Sequence, residues 1–471
     1  MKAYRSSILL IVAALFLVIR PAAASDKNVV GLWQGVLKVQ TIELRIVFHV
    51  AKDSAGILRA TMDSPDQGAK GIPVENVTII ADSLSLLSKL VGGGFSGAIQ
   101  PGDSVIKGNW TQNGITIPLD LHRIGQIAVT RHPQEPMPPY PYSVEEVSYQ
   151  NSAAGITLGG TLTKPNSAGP FPALLLITGS GAQNRDEELL GHKPFLILAD
   201  YLTRKGIAVL RVDDRGVGKS TGVFKTATSE DFAGDVRSGI KYLQSRKDIN
   251  TKKIGLLGHS EGGIIAPMVA SSSKDVAFIV LMAGPSLPGD QILILQDSLI
   301  SGVMGVPYDR VKQALQLNRK LFALVKTITD TTSLRKQTRS LMEEAMRADT
   351  STGGRIDSAA VTATVNELSS PWFRYFITYD PAPALEHVAC PVLAINGSKD
   401  LQVPANENIA GMNAAFKKSG NKRAIAMILP GLNHLLQKAE TGAPAEYAKI
   451  EETINSDALK VIGDWISEVT R

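Results

Sequence analysis

Apolar and polar residues follow two different rhythms along this chain. From about Asp26 to Gly125 they alternate over short runs: Val36-Leu37-Lys38-Val39, Leu44-Arg45-Ile46-Val47-Phe48, Ile57-Leu58-Arg59-Ala60-Thr61-Met62 and Val77-Thr78-Ile79-Ile80. A period of two, with Gly, Asp and Asn between the runs, predicts antiparallel strands. Gly31-Leu32-Trp33-Gln34-Gly35 near the start of this part echoes Gly108-Asn109-Trp110-Thr111-Gln112 near its end. Those two strands are expected to pair and close a small barrel with the tryptophans inside, its interior packed solid. After Tyr142 the pattern changes. Buried-strand runs at 173–178, 208–213, 253–258, 277–283, 392–396 and 424–429 alternate with helical spacing, as in Pro194 to Arg204 and Ser229 to Ser245. Such alternation predicts a parallel sheet covered by helices on both faces, opened by an antiparallel pair at 145–149 and 156–163. Residues 286–385 interrupt it with Leu- and Met-rich helical segments and the cluster Pro371-Trp372-Phe373-Arg374-Tyr375-Phe376. They are expected to form a helical cap.

The division that follows is a signal peptide at 1–24, a β-rich barrel-like domain at 25–125, a Pro-rich linker at 126–142, and an α/β domain at 143–471 with a cap at about 286–385. The linker, Arg131 to Pro141, is expected to be extended and semi-rigid. Lys2 and Arg5 precede an apolar run from Ile8 to Ile19 that is too short to span a bilayer. Ala22-Ala23-Ala24 before Ser25 suits a cleavage site, so export to the periplasm or beyond is expected. Lys2, Arg5 and Arg20 fall in this segment, so much of the formal charge of +5 goes with it. No run of basic residues remains, and nucleic acid is not an expected partner. The single cysteine, Cys390, excludes an intrachain disulfide and reads as an apolar filler.

The chemistry centres on Gly258-His259-Ser260-Glu261-Gly262. An apolar run enters this G-x-S-x-G and a small-residue helical pattern leaves it. Strand, sharp turn and helix is the setting a nucleophile elbow requires. Of the seven histidines, only His387 and His434 follow the serine. His387 precedes a strand and belongs at the sheet's far end. His434 follows one, in Gly431-Leu432-Asn433-His434, where the elbow also opens. Asp400 stands in the loop after the strand 391–396, with Asp290 as a rival acid. The order Ser260, Asp400, His434 suits a base and an orienting carboxylate. An oxyanion hole is expected from the backbone N–H groups of Glu261 and Ser180, with Gly179 or Gly181 as alternatives to Ser180. Trp372, Phe373 and Tyr375 are candidate substrate contacts. No metal-ligand spacing is present, and the chemistry calls for no cofactor. Two glycine-rich segments are decoys. Gly216-Val217-Gly218-Lys219-Ser220 lacks the first glycine of a P-loop. Gly92-Gly93-Gly94-Phe95-Ser96-Gly97 lies among strands with no helix after it.

From about Tyr142 onward the chain resembles the α/β-hydrolase superfamily. The likeness is to secreted bacterial carboxylesterases and to serine aminopeptidase-like and dipeptidyl-peptidase-like hydrolases. Thr178 to Glu187, Asp213 to Ser220, the elbow, and Gly431 to His434 carry it. Many relatives have His-Gly where this chain has Thr178-Gly179. The resemblance implies an ester hydrolase acting through an acyl-enzyme on a small-molecule ester. Two readings compete with it. A serine aminopeptidase or dipeptidyl peptidase would bind a substrate ammonium with Glu187, Glu188 or Glu261. A non-catalytic protein would hold an apolar ligand in the barrel. The sequence leaves the oligomeric state open.

Overall fold

The computed structural model describes residues 28–471 except 40–41, 68, 113–114, 128–131 and 350–352. The segment read as a signal peptide lies outside the described residues. No described helix is long and apolar enough to cross a membrane.

The period-two part forms ten antiparallel strands: β1 (Gly31–Val39), β2 (Ile42–Lys52), β3 (Leu58–Ser64), β4 (Ala69–Val74), β5 (Asn76–Ile80), β6 (Ser83–Ser88), β7 (Gly93–Ile99), β8 (Val105–Gln112), β9 (Ile115–Pro118) and β10 (Leu121–Ile124). Their order is β4-β3-β2-β1-β10-β8-β7-β6-β5, with β9 beside β8. The sheet nearly closes, since β3 and β4 meet β5 and β6. The two tryptophan strands do not pair with each other. The short strand β10 lies between β1 and β8 and bonds to both. Trp33 and Trp110 still point inward, where they pack with Phe48, Leu84, Phe95 and Ile106 in one core. The Trp33 indole N–H donates to the Val29 carbonyl at 2.7 Å, so its only polar atom is satisfied.

The second part is an eight-stranded sheet. Its strands are β11 (Tyr142–Asn151), β12 (Ile156–Pro165), β13 (Phe171–Ile177), β14 (Ala208–Val212), β15 (Ile249–His259), β16 (Phe278–Met282), β17 (Val392–Gly397) and β18 (Ala424–Leu429), in the order β11-β12-β14-β13-β15-β16-β17-β18. β11 and β12 form the antiparallel opening and the rest run parallel. The parallel strands from β13 to β17 are buried nearly throughout, as strands covered on both faces must be. One face packs on α2 (Ser229–Gln244), α3 (Gly262–Ala270) and α10 (Ala405–Ser419). The other packs on α1 (Pro194–Arg204) and α11 (Ser456–Val469). After β13 the chain adds β14 on one side and β15 on the other. This is a topological switch point, and a crevice opens there at the carboxyl ends of the strands.

The interruption after β16 is helical: α4 (Gly289–Val303), α5 (Tyr308–Thr327), α6 (Thr331–Ala348), α7 (Ser358–Leu368), α8 (Pro371–Thr378) and α9 (Ala382–His387). It has a core of its own, including Leu321, Leu334, Val361 and Phe373. The segment before β11, expected to be an extended and semi-rigid linker, packs against the second part. His132 and Glu135 are buried. The Gln134 side chain bonds to the backbone of Thr453 and Ile454, and Glu135 pairs with Lys193 at 3.1 Å. Polar side chains between the prolines dock this segment onto the α/β body.

Candidate active site

The elbow is built by close backbone packing. Ser260 has φ +52°, a left-handed conformation that strains any residue with a Cβ. A Cβ at Gly258 would lie 1.9 Å from the Gly262 carbonyl oxygen, and one at Gly262 would lie 2.2 Å from that of Ile177. Only glycine fits at either place. The strained turn is held by Ser260 N–H donating to the Met282 carbonyl at 2.9 Å. The Ser260 hydroxyl thus stands between the end of β15 and the start of α3.

The loops after β17 and β18 bring Asp400 and His434 to it. His434 Nε2 is 3.0 Å from Ser260 Oγ, and its Nδ1 is 2.9 Å from Asp400 Oδ2. The other Asp400 oxygen accepts from the backbone N–H groups of Gln402 and Val403 at 2.9 and 2.8 Å. The carboxylate is therefore fixed before it meets the ring. It orients Nδ1–H toward itself and leaves Nε2 free to accept the serine proton. Asp400 and His434 are 3% and 4% exposed, so solvent does not compete for these bonds. Asn433 shapes the histidine loop by accepting from the N–H groups of Leu435 and Gln437. Two residues weighed in the sequence lie elsewhere. Asp290 pairs with Lys326 in the cap, and His387 bonds to the Pro383 carbonyl at the end of α9.

Residues 178–183 lie along the other side of the serine, where a Cβ at Gly179 would be 3.2 Å from Ser260 Cβ. Three carboxylates hold this segment and its continuation. Thr178 Oγ1 and the Gln183 N–H donate to the two oxygens of Asp214 at 2.8 and 2.9 Å. Gly179 N–H donates to Glu187 Oε1 at 2.6 Å, and Arg185 N–H donates to Asp213. Thr178 thus anchors the loop through its hydroxyl. Gly179 N–H is engaged, which removes it as an alternative oxyanion donor. The N–H groups of Ser180 and Glu261 have no acceptor among the described residues. Burial pushes the Asp214 carboxyl up to about 8, with Glu261 and Glu187 adding to the effect, while its two donors oppose it.

The three aromatic candidates have different surroundings. The Trp372 indole N–H donates to Glu261 Oε1 at 2.9 Å, which also accepts from Ser229 Oγ at 2.6 Å. This places Trp372 one residue from the nucleophile. Phe373 turns the other way, into the cap core against Phe322, and not toward Glu261 as Trp372 does. Helix α8 is the reason, because residues one apart point to different faces. Tyr375 stacks on Tyr379, and burial raises its phenol, with Glu230 nearby adding to this. The three acidic residues weighed for an ammonium site already have partners. Glu187 meets Gly179 and His259, Glu261 meets Trp372 and Ser229, and Glu188 accepts from Asn184.

Residues 154–434 match the family described as X-Pro dipeptidyl-peptidase (S15 family), which is more than half of the chain. The chain belongs to this S15 family. It is also similar to esterase EstD of Thermotoga maritima, at 26% identity over 66% of this chain and 65% of that protein. A second relative is the uncharacterized protein YfhR of Escherichia coli O157:H7, at 26% identity over 36% of this chain and 62% of that protein. The chain therefore spans less than two thirds of the length of either relative. Among solved structures, the esterase Pf2001 of Pyrococcus furiosus aligns over 73% of this chain and 99% of its own, with 15% identity and a TM-score of 0.43.

Within this S15 chain, two parts of the site were not assigned from sequence. One is Asp214, the anchor of Thr178 and Gln183, whose segment carried the family resemblance without a role of its own. The other is the contact of His259 with both Glu187 and the His434 carbonyl, at 2.9 and 3.1 Å. Its partners are 72 and 175 residues away, and no local pattern links them.

Proposed function

We propose that this protein is a serine hydrolase that cleaves carboxylic esters by two-step acyl transfer. The observation that carries the reading is the unbroken line of contacts from Ser260 through His434 to Asp400. In this mechanism His434 Nε2 takes the proton from Ser260 Oγ as the oxygen attacks the ester carbonyl. The N–H groups of Glu261 and Ser180 receive the developing oxyanion. Asp400 stabilises the imidazolium. His434 then gives its proton to the departing alcohol, and water releases the acid by the same steps. A cavity lined by Thr178, Gly179, Asp214, Phe232, Glu261 and Ile265 lies beside the oxyanion loop.

The family description favours a second reading, release of an X-Pro dipeptide on the same triad. That reaction needs carboxylates open to a substrate ammonium. Glu187 and Glu261 are buried and internally bonded, which supports the ester. The barrel interior is filled by its own aromatic residues, which speaks against a lipid-holding, non-catalytic role. Turnover of p-nitrophenyl esters beside X-Pro p-nitroanilides, each with Ser260→Ala as control, tests these readings together. Ester hydrolysis lost in the variant is expected. Preferred anilide turnover would turn the assignment to a peptidase. The pattern of residues 1–24 supports export, and N-terminal sequencing of the protein recovered from a periplasmic fraction should begin at Ser25.

A further inference from the structure

We propose that Glu187 and His259 are a charged pair that positions the reaction centre, with His259 protonated on both ring nitrogens at neutral pH. The proposal rests on the serine-hydrolase reading. It comes from counting donors. His259 Nδ1 faces Glu187 Oε1 at 2.9 Å, and Nε2 faces the His434 carbonyl oxygen at 3.1 Å. A carboxylate and a carbonyl have no hydrogen to give. With Glu187 ionised, a neutral imidazole, which has one N–H and one lone pair, would set lone pair against lone pair at one of these contacts. A ring with two N–H groups satisfies both.

The carboxylate needs this cation as much as the ring needs the anion. Glu187 Oε1 accepts from Gly179 N–H and from His259, while Glu187 Oε2 is buried without a hydrogen-bond partner. Both residues are 5% exposed, and a lone charge that deep is unfavourable unless paired. Burial alone would discharge His259. The opposing attraction of Glu187, helped by the His434 carbonyl and by Asp400, prevails and raises its pKa. The titratable groups facing His259 are Glu187, from the loop after β13, and His434 and Asp400, from the loops after β18 and β17. Asp400 is already committed to His434.

The pair joins three parts of the site. Through Gly179 N–H it fixes the peptide next to Ser180, the proposed oxyanion donor. Through the His434 carbonyl it fixes the backbone of the proposed base. His259 itself precedes the nucleophile. Glu187 is held at φ +51°, a strained conformation that surrounding bonds must maintain. The rings of His259 and His434 are 4.9 Å apart, so a charge on one is felt at the other. Neither Glu187 nor His259 touches the reacting atoms; both act through their neighbours.

Two measurements on the full chain test this. In protein labelled with 15N-histidine, NMR at about pH 8, where an ordinary histidine is neutral, should show one ring with both nitrogens protonated. That signal should vanish in His259→Gln and become a neutral ring in Glu187→Gln. A neutral His259 in the unmodified protein would overturn the proposal. In kinetics, each single variant should lower kcat about 10- to 100-fold with KM changed less than about 3-fold. The double variant should be no worse than the poorer single one. The acid limb of the kcat/KM profile should move to higher pH by about one unit in both single variants. Unchanged kcat and an unmoved limb in both variants would also overturn it. If His259→Gln fails to fold, Glu187→Gln and the spectrum of the unmodified protein still decide the matter. Full activity of Ser260→Ala would instead remove the hydrolase reading and leave the NMR result on the pair standing.

Discussion

Asp400 can do little but orient His434, because one of its oxygens is taken by two backbone N–H groups and the other faces the ring. Asp400→Asn should therefore keep the fold and lower kcat by about four powers of ten, since the amide would favour the wrong tautomer. Steady-state ester kinetics with a melting curve as control will check this. Thr178 makes a different kind of contribution. Its hydroxyl donates to Asp214 and does not need to touch substrate. Thr178→Val should lower kcat about tenfold and destabilise the chain by about 1–2 kcal/mol in urea titrations, by stripping a donor from a buried carboxyl. The sequence made Ser260, Asp400 and His434 visible because each closes a strand at the same rim. His259 was visible only as the residue before the nucleophile in the elbow. What it turns toward was hidden, because its partners come from two distant loops.

Among the elements, the elbow and helix α8 show what periodicity can and cannot tell. The glycines at 258 and 262 are spaced by a motif, and their contacts explain the spacing. Gly258→Ala would drive a Cβ into the Gly262 carbonyl, so the variant should fail to accumulate as soluble protein or lose all ester turnover. Helix α8 is apolar on two faces, so its sequence alone could not say which face meets the site. Trp372 and Phe376 stack on one face, and Phe373 and Ile377 fill the cap core on another. The Trp372–Glu261 bond ties the cap to the start of α3. Trp372→Phe should raise KM severalfold, with a smaller change in kcat, and cost about 1–2 kcal/mol in unfolding. The pairing of the tryptophan strands was misread for a related reason. Strand β10 is four residues of mixed character, Leu121-His122-Arg123-Ile124, and does not announce itself by alternation.

For the whole molecule, the docked segment before β11 creates a pH dependence of stability. His132 stacks on His192 at 3.7 Å. The His192 ring bonds to Thr453 Oγ1 and to the Tyr447 carbonyl. Burial, with His132 beside it, depresses the His192 pKa to about 4. The folded value lies below the unfolded one of about 6.5, so the unfolded chain gains its proton first as pH falls. The contribution is fully present above about pH 6.5 and is lost on the way down to about pH 4, by about 3 kcal/mol at most. His192→Gln should flatten the urea midpoint across that window. The two architectures were legible because their rhythms differ. The docking of one segment on another was not, since it depends on side chains such as Gln134 that find partners only after folding. One such meeting reaches further. The Leu190 N–H donates to the Asp66 carbonyl in the leading domain, and Leu190 continues the loop that begins at Ser180. A binder that draws the leading domain away from this loop should therefore lower the turnover rate, whereas one that grips α11 should leave it unchanged.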